Sequence, residues 1–454
     1  MTHTGIDQES ANDIDLLQDL LGRAQRAGAD AADAVLVEGI SLSHTRRLGK
    51  TEKLERSEGQ DLGLRVFVGR QQAIVSSSDR STTALADLID HALAMARAVP
   101  ADEFCGIADR DAIARDWPDH LDMLDTAEPG AEVLIERARA CEEAALAVTG
   151  ITNSEGAEAG WGRSRVAIAA SNGFAGAYAG SSQGVSVSAI AGAGTAMERD
   201  YDYSSAIYAA DLRDPAEIGR RAGERAVKRL GARKMPTGRF PVVFEPRVAR
   251  SLLSHLLGAI TGPSIARGTS FLKDRLGERI FPEGITIVDD PHRPRGMRSK
   301  PFDGEGIANR RRAIVERGVL TTWLLDLRSA RQLGLTTTGH AARGTASPPS
   351  PSATNLWLEP GTLGPDALIA DIDSGFYVTE LMGMGVNGVT GDYSRGAAGF
   401  WIEKGAIAFP VSEMTIAGNL KDMFLRLAAA NDLEFRNGVD APTLRIDDLT
   451  VAGA

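Results

Sequence analysis

Along the first 230 positions the apolar residues switch repeatedly between a helical and a strand period, and this most constrains what the chain can fold into. Leucines at 16, 17, 20 and 21 share one helical face over Ile14–Ala27. From Ala34 to Ser76 the pattern becomes alternation, through Val35 and Val37, then Leu62, Leu64, Val66 and Val68, then Ala73 and Val75. Turn signals at Gly49-Lys50, Ser57-Glu58-Gly59 and Gly69 separate these runs, which predicts a small antiparallel sheet. Ser81 then caps a predicted helix over 82–98.

The same order recurs. Ala131–Val148 has the helical pattern, and Val166–Ala196 reads as Gly/Ser-spaced strands. A helix follows over Asp214–Leu230, with Pro215 placed for its first turn. Duplication and a common α+β arrangement fit this order equally, because the residues do not align well enough to choose.

Beyond a linker at 231–238 the chain becomes richer in strands. The predicted elements are a strand at Phe240–Phe244, a helix from Pro246 to about Ile260, and strands at 285–288, 319–325, 356–358, 376–381 and 398–409. A late helix is predicted at Leu420–Ala430, and Ser347–Ser352 is a Pro/Ser loop that reads as either a flap or a linker. The expected fold class is therefore α+β. Two N-terminal α+β domains with antiparallel sheets, 1–120 and 121–235, precede a large strand-rich domain, 236–454. The 49 glycines in 454 residues, above the usual share of about 7%, favour this turn-rich reading over a helical bundle.

Charge and composition exclude several classes. A net charge of −11 argues against nucleic acid or an anionic membrane as partner. Met1–Ser10 is polar and no apolar run reaches the roughly 18 residues of a span, so a cytoplasmic chain is expected. Cys105 and Cys141 are too few for a disulfide framework; free thiols in a reducing compartment are expected, with a single bridge the alternative.

Three short motifs fail on their surroundings. Gly383–Gly388 spells G-x-G-x-x-G, but a Gly-rich stretch and another strand follow where a nucleotide site needs a helix. Gly180–Gly184 spells G-x-S-x-G around Ser182, yet Val185–Ser188 continues as strand, so a hairpin turn is expected rather than a nucleophile elbow. Ser270–Lys273 spells S-x-x-K without companion motifs. The seven histidines are scattered, with no local pair at ligand spacing. A discontinuous site of His292 with Asp289 and Asp290 is left as an alternative.

Several longer stretches carry a resemblance. They are Arg267–Asp274, Phe302-Asp303-Gly304-Glu305-Gly306, Phe376–Leu381, Phe400–Glu403, Thr415–Met423 and Leu449–Gly453. Together they resemble the TldD/PmbA family, and within it the PmbA (TldE) branch. The resemblance implies a cytoplasmic two-component peptidase for small or unfolded peptides, active in peptide maturation and antitoxin degradation. In it a TldD-type subunit holds the metal, expected to be zinc, through an H-E-x-x-x-H helix and a C-terminal Cys.

At the matching helix this chain has Ser254 at the first ligand, His255 at the general-base Glu and Ala259 at the second ligand. No Cys lies between Asn431 and Arg445. The resemblance thus implies a non-catalytic subunit without a metal of its own, paired with a TldD-type subunit or homodimeric when isolated. Asp303, Glu305, Gly383, Gly385 and Gly388 are the candidate peptide-binding residues. The alternatives are a stand-alone homodimeric peptide-binding protein and a hydrolase with an unrecognised site. Two positions depart from the branch pattern: His340 and Lys404 stand where Asn is expected.

Overall fold

The computed structural model describes residues 3–453. Its first half is one antiparallel sheet of six strands: β1 (Ala31–Arg47), β2 (Lys50–Val68), β3 (Gln71–Ser77), β4 (Ile151–Ala170), β5 (Ala175–Ala191) and β6 (Glu198–Ala206). Their order is β3-β2-β1-β4-β5-β6, so the β1–β4 pairing joins both halves of the N-terminal region into one ladder.

Four helices cover one face. α1 (His3–Arg26) and α2 (Thr82–Ala98) bury Leu17, Leu20, Leu88 and Leu93 against Ala32, Ala34, Leu62 and Leu64. α3 (Ala131–Leu146) and α4 (Pro215–Lys228) bury Leu134, Cys141 and Ile218 against Trp161, Val185 and Val187. The sheet is continuous, but each helix pair has its own core. α1 begins well before the predicted Ile14, because the polar stretch ahead of it carries no apolar period to announce it. Ser81 caps α2 as expected, its Oγ accepting from Ala84 N at 3.3 Å.

The opposite face is covered by the C-terminal region. Val35, Ile168 and Phe174 meet Phe302 there, the Phe174 and Phe302 rings lying edge to face at 5.0 Å.

The C-terminal region closes on itself. β7 (Gly238–Phe244) lies between the parallel strand Ser374–Met382 and the antiparallel strand Leu444–Ala452. Strands Asp392–Glu403 and Ala406–Asn419 continue from 374–382, and 406–419 pairs back onto 444–452. The five strands close into a ring through Thr415–Ala417 on Thr450–Ala452. α5 (Pro246–Ala259) follows β7 and packs Leu252, Leu253 and Leu256 into the largest core. A second five-stranded sheet includes Ile287–Asp290, Arg312–Glu316 and Asn355–Leu358.

Five expectations are corrected. Ser57-Glu58-Gly59 is no turn: it runs within β2, paired with Gly39–Ser41 of β1. The late helix ends at Leu425, because Leu427–Ala429 pairs with 444–446. Only Val319–Leu320 of the 319–325 run is strand, since Thr321 turns back to donate to Ala313 O at 2.6 Å. The 398–409 strand is split in two by a turn at Lys404-Gly405, both with positive φ. Gly180–Gly184 is no hairpin turn: it lies inside β5, paired residue by residue with β4 from Gly160 to Ser164.

Candidate functional site

α5 presents the three positions at which the resemblance looks for metal chemistry. Ser254 is exposed and donates its hydroxyl to Arg250 O one turn back, at 3.2 Å. Ala259 is buried and has no donor atom, while its carbonyl accepts from Ser270 Oγ at 2.6 Å. The serine of the S-x-x-K motif therefore closes the end of α5. His255 is half-buried and its Nε2 is shut away with no partner. Burial, reinforced by the Arg395 guanidinium, pushes the imidazole pKa down and keeps the ring neutral at pH 7.

A catalytic zinc takes three protein ligands, each deprotonated and oriented. A neutral hydroxyl turned onto the backbone, a methyl group and one imidazole do not supply them, so the α5 residues do not fit the metal. Among the described residues no group of three or more His, Cys, Asp or Glu side chains is arranged to hold one.

The glycine loop comes to this helix through Tyr393. The His255 and Tyr393 rings meet edge to face at 5.9 Å, and the Tyr393 hydroxyl is likewise buried without a partner. Burial raises the phenol's pKa above its ordinary range. Tyr393 lines an open cleft of about 550 Å³ with Met384, Gly385, Gly388 and Asp392. Two of the three candidate glycines have a stated reason. Gly383 sits at φ +74°, and a Cβ on Gly385 would stand 2.1 Å from Ser394 O. Around Gly388 there is open space, while its carbonyl accepts from Phe271 N at 2.9 Å. Nothing in the sequence marked Tyr393 or Arg395, because both fall at unremarkable places in a strand pattern.

Asp303 and Glu305 lie elsewhere, 2% and 7% exposed, between the sheet and the C-terminal region. Asp303 accepts from the amides of Glu305, Ile307 and Ala341 at 2.9, 2.9 and 3.1 Å. Glu305 accepts from Leu327 N at 2.8 Å. Burial raises the Asp303 carboxyl to about 6, and burial together with the Asp303 charge raises Glu305 to about 8.

Beside them is an ion cluster that joins the two halves of the chain. Asp33 on β1 accepts from Arg65 Nε on β2 at 3.1 Å and from Arg343 Nη1 at 2.7 Å. The Arg343 side chain is 1% exposed, with Nε and Nη2 unpartnered. The signal was present but misleading: Asp33 and Arg65 alternate with apolar neighbours as solvent-facing residues do, yet that face is covered. The stretch just before the Pro/Ser loop docks on the same side, with the Thr345 hydroxyl on Asp61 and its backbone over Gly63, where a Cβ would meet Thr345 O at 2.0 Å.

The remaining candidates are dispersed. His292 contacts Asn309 Oδ1 at 2.7 Å, whereas Asp289 holds His340 Nε2 at 3.2 Å and the Thr354 amide at 2.6 Å. Ser182 is exposed in mid-strand, and Cys105 and Cys141 are both free.

Residues 32–96, 125–230 and 237–453 match, in order, domain 1, the central domain and the C-terminal domain of the PmbA/TldA metallopeptidases. Metalloprotease PmbA of Escherichia coli O157:H7 is 38% identical over 428 residues, covering 94% of this chain and 93% of that protein. The chain belongs to the PmbA/TldD metallopeptidase family. A PmbA homologue from Haemophilus influenzae is also 38% identical, over 95% of this chain and 94% of its own length. Among solved structures, a Bacteroides thetaiotaomicron protein described as a candidate modulator of DNA gyrase superposes with a TM-score of 0.90 at 29% identity, over 97% of this chain and 98% of that one. TldE from Thermococcus kodakarensis shares the fold, with a TM-score of 0.85 at 19% identity, over 96% of this chain and 100% of that one. No helix among the described residues is long and apolar enough to cross a membrane.

Proposed function

We propose that the chain is the non-catalytic subunit of a cytoplasmic two-component peptidase of the TldD/TldE kind, holding a peptide beside a zinc site carried by a TldD-type partner. One observation carries this reading: α5 offers a back-bonded serine, a single neutral histidine and a buried alanine where a metallopeptidase needs ligands and a base. Kinship with proteins named metalloproteases supports the peptidase setting. The glycine loop suits a peptide-facing role, because Gly383 and Gly388 leave backbone unobstructed for an extended chain to approach, while Gly385 lets the loop lie against Ser394. Asp303 and Glu305 act on bound peptide only indirectly, through the buried network between the two halves.

The test is co-purification with a paralogue whose helix reads H-E-x-x-x-H, followed by digestion of casein and short peptides. Activity should appear in the pair and be absent from this chain alone. Hydrolysis by the isolated chain, with a metal that survives dialysis and activity lost on chelation, would overturn the proposal.

A further inference from the structure

The outer half of β2 is a bare sheet edge. β3 pairs only with residues 62–68, and among the described residues no strand lies beyond residues 50–61 on that side. Every side chain from Lys50 to Gln60 is exposed, including Leu54 at 50%. A long exposed edge is a template for another strand, and proteins ordinarily block it with charge. Here the charges follow a rule of their own.

Read outward from Leu54 in both directions, the segment is complementary to itself. Lys53 mirrors Glu55, Glu52 mirrors Arg56, Thr51 mirrors Ser57 and Lys50 mirrors Glu58. In an antiparallel pair related by a two-fold axis through Leu54, each mirrored residue stands opposite its counterpart from the other copy. Residues directly opposite in an antiparallel pair are close enough to interact. Every charge then meets its opposite, and the two exposed Leu54 side chains meet on the axis. The register is selective. Moving the axis to Glu55 sets Glu55 on itself and Glu52 on Glu58; moving it to Lys53 sets Lys53 on itself and Lys50 on Arg56. Parallel in-register pairing sets every charge on its like.

We propose that this edge is a homotypic interface: a second copy of the chain adds its own residues 50–58 antiparallel to the first, about a two-fold axis at Leu54, and extends the sheet across two molecules. Such an interface is isologous, as a closed two-fold dimer requires. The existing contacts do not occupy it. Lys53 pairs along its own strand with Glu55, and Arg56 contacts Glu58 and Glu128 at 2.9 and 2.6 Å, all of them exposed groups that can exchange partners. The one irregularity is a bulge at Glu52, where Thr45 pairs with Lys53 and Arg46 with Thr51. It lies beyond the Lys53–Glu55 pairs that flank the axis. The proposal stands independently of whether the chain is catalytic.

The full chain is tested by sedimentation velocity over a concentration and salt series. Wild-type protein should dimerise reversibly, and the dimer should weaken as salt rises. Glu55→Lys sets lysine on lysine twice across the axis and should weaken the dimer at least about tenfold. The swap Lys53→Glu/Glu55→Lys should restore it. Placement is read by cross-linking in a Cys105→Ser background. Leu54→Cys should form a covalent dimer under mild oxidation. Glu58→Cys should not, because eight residues at about 3.4 Å each separate it from its copy. A wild-type chain that is monomeric throughout, or that associates only with a paralogous subunit, would overturn the proposal. So would a dimer indifferent to Glu55→Lys, a swap that fails to rescue, or cross-linking equal at 54 and 58.

Discussion

Replacing Asp33 by alanine tests whether the buried ion cluster fastens the N-terminal sheet to the C-terminal region. Asp33 is 3% exposed and its carboxylate serves Arg65 and Arg343 at once. Its removal takes away the one carboxylate hydrogen-bonded to both buried guanidiniums, leaving Glu305 nearby without a direct pair, and Arg343 already has Nε and Nη2 unsatisfied. Removing one partner of a buried pair costs about 3–5 kcal/mol, mostly through the charge left behind. The cation–π contact of Arg65 with Phe67, at 4.9 Å, recovers only part of that.

A chain of several modules has no single unfolding free energy, so the cost is best read locally by amide hydrogen exchange. At 3 kcal/mol, opening of β1, β2 and the Ala341–Ala342 strand should become about 150-fold more frequent. Amides in the closed C-terminal ring should change little. The pH dependence has a definite sign. Burial alone would raise the Asp33 carboxyl, but Arg343 and Arg65 outweigh it and hold its pKa below the ordinary value. Its contribution is therefore present above the unfolded pKa and is lost as pH falls through the folded one. Alanine should remove that acid-side loss along with the stability. A change below about fivefold in exchange, near 1 kcal/mol, would refute the reasoning.

Three further outcomes follow from the same geometry. Glu305, raised to about 8, stabilises the fold when protonated, so wild type should lose stability as pH rises from about 4.5 to 8; Glu305→Gln should flatten that slope in pH-dependent urea melts. Tag-free protein dialysed and examined by elemental analysis should carry only substoichiometric zinc, and Ala259→His alone should not raise it, because Ser254 still faces the backbone and the described residues arrange no third ligand beside it. Lys404 sits at φ +50° in the tight turn before Gly405, so Lys404→Asn should recover part of the roughly 1–2 kcal/mol that a left-handed residue costs, read as a higher Tm.

The last of these shows how far local chemistry carries. Lys404 stood out in the sequence only as a departure from an expected Asn, and the backbone supplies the reason, since Asn tolerates positive φ better than Lys. Elements set by local rules were legible in the same way. The leucine face of α1, the Ser81 cap, Pro215 at the start of α4 and the alternation of β1 and β2 depend on neighbours within a turn or a pleat. The family motifs were equally readable, because identity at a position needs no partner. What failed were readings that depend on who pairs with whom. Leu427–Ala429 has helical neighbours but is claimed by a strand at 444–446, and Gly180–Gly184 looks like a turn until β4 pairs along its length.

Tertiary structure alone decided the rest. It placed Asp33 against Arg343, 310 positions apart, and turned an apparently solvated face of β1 into a buried interface. It brought His255 against Tyr393 at the glycine cleft, closed the C-terminal strands into a ring, and left the outer half of β2 paired on one side only among the described residues. Periodicity tells which side of a strand faces inward toward its nearest helices. It carries no information about what covers the other side, because that contact comes from residues hundreds of positions away.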